Sequence, residues 1–194
     1  MYEVISYDPL FEVFSLRSNS WNILDVDLPR LCCELPPGVY TDGVCHWWSR
    51  SSSHDKEDCL VSFDFVNELF FTTPMLLDVD ESCHYSCIER CLVVLNESIA
   101  LISNCPYATT FHISILGELG VKKSWIKLFI VGPIPFLQYP IGVGNNGNIC
   151  FRKKDDDLVW VDLSTQIIDE IGVKAKYCHI GIYKEKLLPI GGIN

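Results

Sequence analysis

The feature that most constrains the fold of this chain is a pattern of short β-hairpins that recurs about every 50 residues. Residues 11–26 alternate apolar and polar side chains on both sides of a polar turn, and similar hairpins follow at residues 59–71, 111–130 and 158–168. Such alternation is typical of strands that bury one face. The equivalent positions Phe63, Phe111 and Val161 are 48 and 50 residues apart, which indicates an internal repeat.

A second kind of hairpin lies between copies of the first. Its strands flank short polar turns at residues 41–43, 96–97 and 145–147. A unit with both hairpins holds four short strands, as a blade of a β-propeller of the kelch size class does. The predicted fold class is therefore all-β, with kelch-like β-propeller-type repeats. Because the chain holds roughly three and a half repeats, the propeller is predicted to be incomplete or open.

Composition agrees with a β fold, since Val, Ile, Phe, Tyr and Trp carry the apolar content and 12 Gly and 10 Pro interrupt it. We find neither an apolar stretch long enough to span a membrane nor the features of a secretion signal at the N-terminus. The sequence thus predicts a soluble protein of the cytoplasm or nucleus that does not bind membranes. In that reducing compartment the ten cysteines are predicted to remain reduced.

Charge narrows the class of partner. The net charge of −10 argues against nucleic acid, because binding to phosphates depends on Lys and Arg. The charge is also uneven: residues 1–120 carry 5 basic and 18 acidic side chains, whereas residues 121–194 carry 10 basic and 7 acidic ones. This asymmetry either orients a charged partner or is simply an acidic surface.

Two short motifs that resemble ligand sites have structural explanations. Residues 142–147 fit the G-x-G-x-x-G pattern, but a strand pattern follows where a dinucleotide site needs a helix, so we predict a hairpin turn. Cys83, Cys87 and Cys91, with His84 beside them, lack the second ligand pair that is typical of structural zinc sites. We predict no metal and no cofactor. We also find no recognisable nucleophile motif, so the chain is predicted not to be an enzyme, with an enzyme on a propeller scaffold as the less favoured alternative.

Five segments, in the same order as here, resemble the F-box-associated domain of type 1 of plant F-box proteins. They are residues 11–21, 38–48, 60–64, 111–125 and 157–165. The resemblance implies a substrate-recognition module of an SCF-type E3 ubiquitin ligase, in which the F-box docks on a Skp1-type adaptor and cullin while the associated domain holds the protein to be ubiquitinated.

This chain departs from the family pattern in two ways. The whole of residues 1–194 is expected to be one associated domain that is truncated at its N-terminus, without the F-box and the first strands. Binding to the adaptor and cullin is then expected only through an F-box absent from this chain, and a truncated non-functional or regulatory fragment is the alternative. Glu97 also stands where the family usually has Gly, in a turn that needs positive φ.

The candidate partner-binding residues lie on two irregular polar loops and on the strand before the first. The loops are residues 49–58, with His54 and Asp55, and residues 79–89, which have three further candidates; the alternative is that both are solvent loops without a partner. The adjacent Trp47 and Trp48 must point to opposite faces of a strand, so at most one belongs to a given core layer and the other can anchor a partner. The other three tryptophans are predicted to lie in the core: Trp21, Trp125 and Trp160. The candidates on the second loop are Asp80, Glu81 and His84.

Overall fold

The computed structural model describes residues 11–15, 18–24, 38–49, 58–75, 89–104, 109–144 and 146–180. Within these ranges the chain forms fourteen strands and a single 3₁₀ turn, Lys122–Ser124, and it has no α-helix. The strands are β1 (Phe11–Ser15), β2 (Ser20–Leu24), β3 (Val39–Thr41), β4 (Val44–Ser49), β5 (Cys59–Asp64), β6 (Leu69–Pro74), β7 (Glu89–Leu95), β8 (Ser98–Asn104), β9 (Phe111–Leu116), β10 (Trp125–Val131), β11 (Leu137–Val143), β12 (Ile149–Lys153), β13 (Asp157–Val161) and β14 (Ile168–Lys174).

Sheet topology follows the repeat. Strands β3–β6, β7–β10 and β11–β14 each form a four-stranded antiparallel sheet in sequence order, and β1 pairs with β2 in a separate two-stranded sheet. We call the three four-stranded sheets blade 1, blade 2 and blade 3. The predicted hairpins and the all-β, open propeller-like fold are confirmed.

The blades pack face to face, and their first strands β3, β7 and β11 contact one another in turn. Between blades 2 and 3 lies a core in which the rings of Phe111 and Phe151 meet edge to face at 4.7 Å. Between blades 1 and 2 a second core contains Leu60, Leu101 and Trp125. Because strand side chains alternate between faces, blade 2 can contribute to both cores.

The tight turns carry the backbone angles that their residues favour. Asn96 and Glu97 have φ values of 49° and 65°, the left-handed pair of a two-residue hairpin turn. The predicted positive φ at Glu97 is confirmed. After β5, the side chain of Asp64 accepts hydrogen bonds from the backbone N–H groups of Val66 and Asn67, at 2.8 and 3.1 Å. These bonds fix the start of the turn before β6.

Beyond β14, residues 175–180 cross one face of blade 3; we call this segment the strap. The N–H of Ile180 donates to the carbonyl of Ile141 at 2.8 Å, and the strap packs on a core that includes Cys150 and Leu158. The carbonyl of Ile180 occupies the space that a Cβ at Gly142 would need. Gly142 therefore serves this close approach. Strands β11 and β12 pair antiparallel, and the N–H of Gly147 donates to the carbonyl of Gly144 at 3.1 Å, so the predicted hairpin turn is confirmed.

The structure differs from the sequence prediction at two places. Trp21 is not in a core: it is 64% exposed and its ring lies 5.2 Å from that of Phe14. The reason is that, among the residues that the structure describes, the β1–β2 sheet has only two strands and so covers little area. In the hairpin predicted at residues 158–168, the apolar pattern continues to Leu163, but the first strand ends at Val161. It ends there because the side chain of Asp162 accepts the backbone N–H groups of Ser164 and Thr165 and starts a turn.

Candidate functional site

Both predicted loops leave the same end of blade 1. The connection from β4 to β5 and the connection from β6 to β7 start from this end because the strands alternate in direction. The N–H of Met75 donates to the carbonyl of Asp58 at 3.0 Å, so the ends of the two loops are bonded to each other. In each blade, the connections after the second and the fourth strand leave from the same end. We call this end of the blade its loop end.

Most of the candidate residues themselves lie outside the described residues. The structure does not describe residues 50–57 and 76–88, but it does describe the strand ends on either side of them. The sequence prediction that these residues bind a partner stays a prediction. The candidates in these two segments are His54, Asp55, Asp80, Glu81 and His84.

A buried ion pair joins the two loops at their C-terminal ends. Asp58 comes directly before β5, and Arg90 is the second residue of β7. The guanidinium of Arg90 donates to the Asp58 carboxylate at 2.5 Å, and the two side chains are 1% and 2% exposed. A pair buried to this degree makes the geometry at the blade 1–blade 2 junction strict, because neither charge has water to replace its partner.

The two adjacent tryptophans lie on opposite faces of β4, as the strand pattern predicts. Trp48 packs against the core between blades 1 and 2, and Arg90 lies over its ring, 5.9 Å from the centroid. At this distance the cation and the ring attract each other. Trp48 therefore contacts the same guanidinium that pairs with Asp58, just before the first loop begins.

Trp47 belongs to a row of aromatic rings on the other face of blade 1. Its ring meets that of Phe70 edge to face at 5.9 Å, and Phe70 lies 4.6 Å from Phe63. The row continues through Phe65 to Tyr40, both of which are at least half exposed. Aromatic contacts of this kind hold a ring in one orientation. The Trp47 ring is therefore held in place next to the start of the first loop.

The loop ends of the blades meet at the start of β7. Glu89, next to Arg90, interacts with Arg152 at the loop end of blade 3: burial raises the pKa of Glu89, and the positive charge of Arg152 opposes that rise. Two residues further along β7, Cys91 is hydrogen-bonded to Tyr139 of β11, and burial raises the pKa of Tyr139 to about 12. The loop ends of blades 1 and 3 are thus connected through one strand.

Of the residues that suggested a zinc site, Cys83, His84 and Cys87 lie outside the described residues. Cys45 and His46 point to opposite faces of β4, and His46 lies buried against the Ser62 hydroxyl, with 2.9 Å between Nδ1 and Oγ. Burial lowers the pKa of His46 to about 4, so it is neutral near pH 7. In the described ranges we find no group of three His, Cys, Asp or Glu side chains that could hold a metal ion.

Two further observations concern redox state and membranes. The described cysteines are free thiols: Cys45, Cys59, Cys91, Cys150 and Cys178. The part of the chain that the structure describes contains no helix with the length and apolar character needed to cross a membrane.

Sequence reasoning did not find the Asp58–Arg90 pair. The residues are 32 positions apart, so no local spacing links them. One signal was present, because Arg90 lies just before the apolar run at residues 92–95, and a charge at the start of a buried strand normally needs a partner.

Comparisons with known proteins agree with the propeller-like fold. Residues 2–188 match the family described as the F-box associated beta propeller domain. The chain is similar to an F-box protein of Arabidopsis thaliana, with 28% identity over 62% of this chain and 31% of the relative. It is also similar to an F-box/kelch-repeat protein of the same plant, with 27% identity over 78% of this chain and 39% of the relative. The matched part thus spans about a third of the length of these relatives.

Proposed function

Because the chain belongs to the F-box associated beta propeller domain family, we propose that it is the substrate-recognition module of an SCF-type E3 ubiquitin ligase. In this proposal the chain holds the protein to be ubiquitinated, and a Skp1-type adaptor and cullin are recruited by an F-box. The chain supplies binding and no catalytic group of its own. The names of the relatives, F-box and F-box/kelch-repeat proteins, support this assignment.

The observation that carries the proposal for the site is the junction of the two loops. Asp58 and Arg90 hold the C-terminal ends of both connections through a buried ion pair, beside Trp48. A rigid base with irregular polar loops is the arrangement by which many scaffolds bind proteins, because the loops can change while the base stays fixed. We propose that Trp47 and the loop residues contact the target and that Trp48 positions the first loop. The loop residues in this proposal are His54, Asp55, Asp80, Glu81 and His84.

The test uses the chain fused to an F-box, so that adaptor binding is supplied. Proteins captured by the fusion are identified by mass spectrometry after crosslinking and are then offered to a reconstituted ligase. A loop variant combines His54→Ala, Asp55→Ala and Asp80→Ala, and a matched control carries Glu118→Ala and Lys123→Ala in the exposed β9–β10 connection.

We expect at least one captured protein to be ubiquitinated by the fusion and by the control but not by the loop variant. Ubiquitination that requires the fused F-box and the loops together supports the proposal. If no captured protein is ubiquitinated, the ligase role is wrong. If the loop variant modifies the same proteins as the unaltered fusion, the ligase role holds and the assignment of the site to these loops is wrong.

A further inference from the structure

Three short segments of the loop end of blade 3 are bonded into one surface. They are residues 132–136, 154–156 and 175–177. The N–H of Lys154 donates to the carbonyl of Phe136, and the N–H of Ala175 donates to the carbonyl of Asp156, both at 3.0 Å. The side chain of Lys174 also donates to the carbonyl of Asp155 at 3.2 Å. The three segments therefore hold one another in place.

Arg152, near the end of β12, also holds this surface together. Its guanidinium donates to the side chain of Gln138 at 3.2 Å and to the carbonyl of Lys176. One planar group with several donors thus bridges the start of β11 and the strap. The backbone of the three segments is therefore held by hydrogen bonds at several points.

Each carboxylate of this surface forms an ion pair within it, and two lysines do not. Lys153 lies 3.8, 3.6 and 3.2 Å from Asp155, Asp157 and Glu170. Lys174 lies 3.5 Å from Asp157, and Arg152 lies 4.0 Å from Asp156. By contrast, Lys154 and Lys176 form no ion pair with any residue that the structure describes. The sequence has no acidic residue between Glu118 and Asp155, so no acidic side chain of β10 or β11 offsets this charge.

Two exposed aromatic rings accompany the two lysines. Tyr177 is 93% exposed and Phe136 is 45% exposed. Exposed Tyr is among the residue types that most often dominate the binding energy of protein interfaces, and Phe adds apolar contact area. We call the set of Phe136, Lys154, Lys176 and Tyr177 the cationic aromatic patch.

We propose that the cationic aromatic patch binds an acidic segment with apolar side chains in the partner protein. This rests on the proposed function and deepens it, because it names the chemistry of the target. The patch is small and positive, whereas the first 120 residues carry a net charge of −13. A short acidic segment can contact the patch alone, but a long polyanion such as nucleic acid, or an anionic membrane, would also meet the acidic part of the chain and be repelled.

The test measures binding of a short fluorescein-labelled peptide of Glu, Asp and Leu to the whole chain by fluorescence anisotropy, with a reference peptide in which Gln and Asn replace the acids. It needs no ligase component. We expect the acidic peptide to bind at least about tenfold more tightly than the reference peptide and to lose affinity as salt rises. Lys154→Glu with Lys176→Glu should lower the affinity by about tenfold, and Tyr177→Ala by about fivefold with little change in salt dependence.

The matched control is Lys122→Glu with Lys123→Glu, which makes the same change of charge in the β9–β10 connection, on the side of blade 2 that faces blade 1. We expect this control to bind the acidic peptide like the unaltered chain. Equal binding of the acidic and reference peptides, or equal losses in the control and in the patch variant, would overturn the proposal.

Single-stranded oligothymidylate and vesicles that contain phosphatidylserine complete the test. Tighter binding of either, with the same dependence on Lys154 and Lys176, would overturn the proposal and assign the patch to that partner. Circular dichroism of each variant checks that it is folded. If the peptide binds the patch but the F-box fusion ubiquitinates nothing, the patch proposal stands and the ligase role fails.

Discussion

Neutralising Asp58 tests whether the junction between blades 1 and 2 depends on its buried charge pair. In Asp58→Asn the guanidinium of Arg90 keeps its charge at a site where its side chain is 1% exposed. Removing one partner of a buried ion pair lowers the free energy of unfolding by about 3–5 kcal/mol, because the other charge stays buried without compensation. Arg90 also lies 5.9 Å from the Trp48 ring, and the attraction between this ring and the cation, roughly 0.5–2 kcal/mol, remains in the variant. We therefore expect a loss of stability in the lower part of the range, about 3 kcal/mol.

The assay is equilibrium unfolding in urea, monitored by tryptophan fluorescence and by circular dichroism so that coincident transitions establish two-state behaviour. For a chain of 194 residues, a loss of 3 kcal/mol lowers the melting temperature by roughly 6–12 °C. Asp155→Asn is the matched control, since Asp155 forms a more exposed pair with Lys153 at 3.8 Å and its loss should change stability by less than about 1 kcal/mol.

A double variant separates the charge pair from the packing around it. Asp58→Leu with Arg90→Met removes both charges and leaves apolar side chains in a buried site, so it should be less destabilising than Asp58→Asn alone. The reasoning is refuted if Asp58→Asn costs less than about 1 kcal/mol, or if the double variant loses as much as the separate losses of Asp58→Leu and Arg90→Met added together.

Three further perturbations have expected outcomes. Glu97→Gly should raise the free energy of unfolding by roughly 0.5–1 kcal/mol because it removes a non-glycine residue from positive φ, and an unchanged urea midpoint would contradict this. Gly142→Ala should displace the strap and make the buried Cys150 thiol reactive towards a disulfide reagent, whereas Gly172→Ala, with open space around it, should leave that thiol protected. Burial lowers the pKa of His46 from 6.5 to about 4, so the unfolded chain binds the extra proton first and stability should fall by about 3 kcal/mol as pH drops from 6.5 to 4; His46→Gln should remove that part of the pH dependence, and an equal dependence in both proteins would show that His46 is not its source.

The hairpins could be predicted because each is encoded locally. Alternation over residues 111–116 fixes which side chains of β9 face the core, and a turn such as residues 96–97 is set by its own two residues. Trp21 was misplaced because burial depends on how much sheet faces a side chain, and the hairpin pattern of β1 and β2 does not state how many strands accompany it. The same limit applies to Asp58 and Arg90, whose contact exists only after two blades have packed.

The loop end of blade 3 combines basic and acidic residues from the last third of the sequence. The order of the strands brings Arg152, Lys154 and Lys176 together there beside Asp155, Asp156 and Asp157, while acidic residues predominate in the part of the chain that forms blades 1 and 2. Strand β7 joins the two regions, because Arg90 pairs with Asp58 of blade 1 and Glu89 interacts with Arg152 of blade 3. A partner that contacts both regions must therefore match the sign of charge on each side, which gives selectivity even where single contacts are weak.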